Sequence, residues 1–261
     1  MDRATAAGPV ALVTGASRGI GRATAERLAV LGFSVVGLYL ASDAEADRLV
    51  GEYPTVTMFK GDASRDADVR RVLAHTVQTH GRLDVVVNNV GIDIPGSVAE
   101  YAVDDWDRMV DTCLKSVFLV SKHAIPHLGR SPRPVIVNVS SRMGLAEYVA
   151  PPLVVYGAVK AAVNNFTIGL ARELEPLGIR VNAVIPALTK TDLFDRLFTP
   201  EQEMELLGSG RLGTPDEAAN LIVRLVNDSS ANGTILADGR LGDDKPAGLA
   251  GHTVEGRCGH G

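Results

Sequence analysis

The chain opens on "VALVTGASRGIGRATAERLAVLG", a β-branched run, a glycine-rich turn and a helical stretch within the first thirty-odd residues. A strand joined to a helix by so short a turn fits a sheet whose strands run parallel and are linked by helices crossing its faces. The rest of the sequence repeats the alternation. Strand candidates are Val10 to Thr14, Ser34 to Tyr39, Thr55 to Lys60, Leu83 to Asn88, Val135 to Val139, Ile179 to Val184 and Thr234 to Ala237. Continuous apolar runs such as "LDVVV" and "PVIVNV" suit strands buried on both faces. Right-handed crossovers then give an α/β, doubly wound, seven-stranded parallel sheet with helices on both faces. Helix starts are marked by possible capping boxes at Ser42 with Glu45, at Thr214 with Glu217, and at Thr199 with Gln202. Residues 1–240 read as one domain, and 241–261 as a Gly-rich, aperiodic tail.

Composition excludes several classes of function. A net charge of −5 leaves no electrostatic footprint for nucleic acid or an anionic membrane. The apolar runs are too short and interrupted to span a bilayer, and "MDRATAAGPV" lacks the apolar core of a signal peptide, so a cytoplasmic protein is expected. The two cysteines, Cys113 and Cys258, stand in unlike contexts and form no disulfide framework. His252, Cys258 and His260 lie in the Gly-rich tail, which offers a metal no fixed geometry, so none is expected.

In the opening turn, Gly15, Gly19 and Gly21 let a pyrophosphate approach the backbone and face the next helix's N–H groups. An acidic residue about 20 positions further on would bind the ribose hydroxyls of NAD(H). Tyr39 and Leu40 stand there instead, while Arg18 can offer its guanidinium to a 2′-phosphate. NADP(H) is therefore favoured, with NAD(H) still open.

A second cluster lies in "VYGAVKAAVNNFTIGLARELEPLG", where Tyr156 and Lys160 are four apart and share a helix face. A free tyrosine titrates near pH 10, and a neighbouring ammonium would lower that value and make Tyr156 a usable general acid or base. Upstream, "PVIVNV" ends in Ser140 and Ser141, at the strand edge where open parallel sheets bind ligands. With Thr14-Gly15-Ala16-Ser17-Arg18-Gly19-Ile20-Gly21, Asp62, Asn88-Asn89-Val90-Gly91, "RVNAVIP" and Thr191, the ordered set resembles the short-chain dehydrogenase/reductase family, from about Val10 to Gly239. The general look is nearest its 3-oxoacyl-thioester reductases.

The resemblance implies a Rossmann-type fold, hydride transfer between nicotinamide and a ketone or secondary alcohol, and a homo-oligomer, tetramer or dimer. It also implies roles. Ser141 would orient the substrate oxygen, Tyr156 exchange a proton with it, and Lys160 hold the nicotinamide ribose. Asp62 would meet the adenine side, Asn88 the adenine ribose region and Thr191 the carboxamide end. Gly15, Ser17, Arg18, Gly19, Ile20, Gly21, Ala63, Asn89, Gly91 and Pro186 complete the cofactor set. The chain departs from the family at Val90, Ala187 and Arg240, and above all at Cys113, which replaces an Asn that holds a water in relatives. Those departures motivate a second reading, a dinucleotide-binding sensor or scaffold with little turnover. Cys113 as a nucleophile lacks a nearby His in sequence.

Trp106, Met109, Val110, Cys113, Val117 and Phe118 fall on one face of a predicted amphipathic helix. The expected substrate pocket is apolar, with Ile92, Ile94, Met143, Leu193 and Phe194, and takes polar recognition from Glu147 and Tyr148. A lid over 188–211 would exclude water. The acidic stretch "ARELEPLG" counts against an acidic carrier protein, so a small ketone or alcohol stands beside a carrier-bound thioester as the substrate.

Overall fold

A computed structural model describes residues 8–191, 194–195 and 211–239. Its sheet has seven parallel strands in the order β3-β2-β1-β4-β5-β6-β7. They are β1 (Val10–Thr14), β2 (Ser34–Tyr39), β3 (Val56–Lys60), β4 (Val85–Asn88), β5 (Val135–Val139), β6 (Arg180–Ile185) and β7 (Ile235–Ala237). Each lies within two residues of its expected bounds. The helices are α1 (Gly19–Val30), α2 (Asp43–Glu52), α3 (Asp66–His80), α4 (Val103–Val110), α5 (Ser116–Leu128), α6 (Val154–Leu174) and α7 (Pro215–Asn227).

Side-chain alternation along the strands divides the core in two. Leu12, Val36, Val86 and Ile136 face one layer, with Val72 of α3, Val120 of α5 and Leu170 of α6. Ala11, Val13, Val35, Val87 and Val137 face the other, with Leu28 of α1 and Ile222 of α7. Strand order reverses between β1 and β4, so the crevice at their C-terminal ends is the natural ligand site.

Two local expectations change. Thr214 caps α7 in a complete capping box with Glu217, and Pro215 takes the first turn. Ser42 does not cap α2: it is left-handed, with φ 74°, whereas a capping residue needs extended backbone. The Glu45 carboxylate goes instead to Arg22 and Arg48. The predicted box at Thr199 lies outside the described residues, as do Leu193, most of the lid and the tail.

The long helix through Cys113 is not one regular element. A π-helical turn, Asp111–Lys115, separates α4 from α5. This wider turn rotates α5 about its axis relative to α4. Met109, Cys113 and Val117 are buried, but Trp106 and Phe118 lie 46% and 45% exposed. The single apolar stripe expected from a 3.6-residue period is thereby broken.

Candidate active site

The glycine turn follows β1 at the switch point. Gly15 and Gly19 have φ of 66° and 56°, the left-handed region that glycine tolerates. A Cβ on Gly21 would collide with the Gly15 carbonyl oxygen. The turn is held from β4: the Asn89 amide donates to the Thr14 carbonyl at 2.9 Å and the Gly15 carbonyl at 3.3 Å, and its backbone N–H donates to Thr14 Oγ1. Ser17 is buried, its hydroxyl donating to the Ala41 carbonyl beyond β2, and Ile20 packs into the second core layer. The nearest side-chain atom to a Cβ placed on Gly19 would be Thr191 Cγ2 at 3.5 Å, so Thr191 lies over the mouth of the turn. Pro186 is buried at the end of β6.

Arg18 is exposed at the start of α1. It lines a cleft of about 370 Å³ with Ser17, Gly19, Arg22, Ser42, Glu45 and Arg48. Leu40, 62% exposed, stands where an acidic ribose ligand would be.

Three of the expected cofactor residues have side chains engaged within the protein. Asn88 is buried and turned into the core, its amide donating to Asn138 Oδ1 at 2.8 Å and Ser121 Oγ at 3.3 Å. The chain continues from Asn138 to Thr167, tying α5, β4, β5 and α6 together. Ala63 packs in the first core layer. Asp62, at the end of β3, spends one carboxylate oxygen on the Ser64 backbone and hydroxyl, in a turn that leads into α3.

Ser141, Tyr156 and Lys160 do converge. Ser141 precedes a 3-10 turn, Arg142–Gly144, and its Oγ accepts from the Met143 N–H at 3.2 Å. That turn lies directly on α6. A Cβ on Gly144 would come 2.7 Å from the Lys160 carbonyl carbon and 2.9 Å from the Ala161 nitrogen, and Asn164 donates to the Gly144 carbonyl. Only glycine admits so close an approach. Ser141 lies near enough to Tyr156 to favour its ionised form. Lys160 Nζ donates to the Val139 carbonyl at 2.9 Å and stands 5.7 Å from the centre of the Tyr156 ring.

The electrostatics run against the sequence expectation for Tyr156. Burial pushes its hydroxyl well up rather than down, Cys113 and Asp93 add to the rise, and nearby Ser141 opposes it. Burial lowers Lys160, opposed by Cys113 and Asp93. The phenol thus keeps its proton, and the ammonium is the group at risk of losing one.

Cys113 Sγ accepts from the Ile92 N–H at 3.3 Å and donates to the Ile92 carbonyl at 3.2 Å. The thiol therefore closes a two-point grip on the loop after β4, from the π-turn. Burial holds it protonated, which removes any nucleophilic role.

Around this centre, Ile92 and Ile94 pack with Met109, Val155, Tyr101 and Tyr156, and Met143 is half-buried. Phe194 is buried. Glu147 is exposed, and Tyr148 is buried beside Ile185 and Leu145. Asp93 was not anticipated as a member of the site. The signal was present as a lone carboxylate in the apolar run "GIDIPG".

Residues 9–202 match the family described as short chain dehydrogenase. This chain belongs to that family. It is accordingly an oxidoreductase acting between an alcohol and a carbonyl. It is 35% identical over 234 residues to a 3-oxoacyl-(acyl-carrier-protein) reductase of Thermotoga maritima, covering 86% of this chain and 92% of that one. Among solved structures, a short chain dehydrogenase of Burkholderia cenocepacia in complex with NADP superposes with a TM-score of 0.81 at 32% identity, covering 89% and 96% of the two chains. A 3-ketoacyl-(acyl-carrier-protein) reductase of Brucella melitensis complexed with NADH gives 0.81 and 32%, covering 88% and 96%.

The contact of Gly144 with α6 yields a direct expectation. Gly144→Ala should displace Ser141 from Tyr156 and lower kcat about a hundred-fold. Dinucleotide binding, read by fluorescence titration, should change little; an unchanged kcat would remove the turn from the machinery.

Proposed function

We propose that this protein reduces a ketone, or oxidises the corresponding secondary alcohol, with NADP(H), and that Tyr156 is its general acid and base. The observation that carries the proposal is the meeting of Ser141, Tyr156 and Lys160 beside the glycine turn. The site fits a dinucleotide: Gly15, Gly19 and Gly21 leave the backbone bare where side chains would collide or strain, and α1 begins there without a side-chain cap. When bound, the nicotinamide supplies or takes the hydride.

The chain's own residues supply the rest. Ser141 and Tyr156 hydrogen-bond the substrate oxygen and fix its distance from the hydride. In reduction, the Tyr156 hydroxyl, kept protonated by burial, gives its proton to that oxygen as negative charge develops there. In oxidation it takes the proton back. Lys160, anchored by the Val139 carbonyl, stabilises the phenolate left behind and holds the nicotinamide ribose. Ile92, Ile94 and Met143 keep water from the reacting carbon.

NADP(H) over NAD(H) is supported by Arg18 in the cleft beside Ser42 and by Leu40 where an acidic residue would bind a free ribose. A solved relative bound to NADP accords with this, and one bound to NADH keeps NAD(H) as the second cofactor. The substrate is proposed as a small carbonyl compound or alcohol, with a 3-oxoacyl thioester as one candidate suggested by the named relatives. A homo-oligomer is supported by the exposed Val103, Trp106 and Phe118 along α4 and α5. No helix among the described residues is long and apolar enough to cross a membrane.

Tyr156→Phe should lower turnover about a thousand-fold across a ketone panel; retained turnover would end the proton role. Arg18→Ala should weaken NADPH binding about ten-fold or more while sparing NADH, by loss of a charge-assisted contact. Equal effects on both would remove Arg18 from phosphate recognition. Sedimentation should give a mass above one chain, and a strict monomer would refute the oligomer.

A further inference from the structure

The segment after β5 is docked on successive turns of α6. At Gly157, a Cβ would come 2.8 Å from the Met143 carbonyl oxygen and 2.6 Å from Val149 Cγ2. At Lys160 and Ala161, the helix backbone meets Gly144, and the Ser140 hydroxyl donates to the Lys160 carbonyl at 3.4 Å. At Asn164, the side-chain amide donates to the Gly144 carbonyl at 3.1 Å. Positions 157, 160, 161 and 164 share one face of a helix with 3.6 residues per turn. The two glycines set how near the segment can come. Asn164 adds a directional bond that holds it there.

Asn164 is 6% exposed, and its Oδ1 is buried and takes no hydrogen bond from any described residue. Filling space alone would not call for such a side chain, since a leucine of similar size strands no acceptor. The half of the amide that is used meets a carbonyl the turn leaves open. The N–H groups of Gly144 and Leu145 close on the carbonyls of Ser141 and Arg142, and those of Tyr148 and Val149 both close on Leu145. None of these bonds takes the Gly144 carbonyl. Ser141 is held by the same turn, its Oγ accepting from the Met143 N–H and its carbonyl from the Gly144 N–H. Gly144 therefore stands between the two, bonded to Ser141 through its N–H and to α6 through its carbonyl.

We propose that Asn164 is a positioning residue for the reaction: by holding the Gly144 carbonyl on α6 it fixes where the Ser141 hydroxyl stands relative to Tyr156. It acts through Ser141 and not on the substrate. Its effect on turnover rests on the function proposed for the site; its effect on the turn does not.

Asn164→Leu removes the donor and keeps the bulk. Amide hydrogen exchange, read by mass spectrometry on peptides spanning 141–149, should quicken about ten-fold in this variant, with the sheet unchanged. Unchanged exchange in that segment overturns the proposal. Should the leucine not fold, Asn164→Asp keeps the shape, lacks the donor and is read in the same way.

A double-mutant cycle with Ser141→Ala gives the kinetic reading. In ketone reduction, Asn164→Leu should lower kcat about ten-fold or more while KM for NADPH holds. In the Ser141→Ala background the same change should cost about two-fold or less, because the hydroxyl it positions is already gone. Equal losses in the two backgrounds would show that Asn164 serves the fold at large, and they overturn the proposal. If wild type reduces no ketone, the proposed function falls, and the exchange of 141–149 still decides for or against Asn164.

Discussion

Seven parallel strands oblige every connection to cross back over a face of the sheet, so every strand delivers its C-terminal end to the same edge. The rest of the site depends on that constraint. The glycine turn leaves β1, Asn89 leaves β4, Ser141 leaves β5 and the segment to Thr191 leaves β6. No long-range folding of loops is needed to bring them together. The polar chain from Ser121 through Asn88 and Asn138 to Thr167 keeps neighbouring strands and helices in register behind that edge. Each of these amides sits where water cannot compensate a lost partner, so the chain resists slippage as well as adding stability.

A dry site sets the second requirement. Burial that sharpens electrostatics for catalysis also drives every ionisable group toward its neutral form. Tyr156 keeps its proton by that rule, whereas Lys160 is pressed to lose one. The Val139 carbonyl gives the ammonium a hydrogen bond but no charge. Cys113 acts on the backbone of Ile92 and so fixes the loop after β4.

The sequence was most legible where packing is most repetitive. Strands buried on both faces leave an apolar signature, and β1, β2 and β5 match their expected bounds residue for residue. The glycine turn and the Ser, Tyr and Lys positions were readable because their spacing is tied to that framework. The features that escaped depend on contacts distant in sequence. Nothing local tells that the Cys113 thiol reaches Ile92, 21 residues away. Ser42 looked like a cap because composition does not reveal a left-handed backbone.

The π-turn at Asp111–Lys115 bears on how this chain can change over time. A π-turn takes up about one residue more than the regular helix that spans the same rotation, so deleting one residue there would leave Val120, Ala124 and Leu128 facing the sheet. Inserting one residue into the regular helix just after it would instead turn the rest of α5 by about 100° and carry those side chains off the sheet. The extra residue is therefore held at the one place along α4 and α5 where length can change without turning a whole layer.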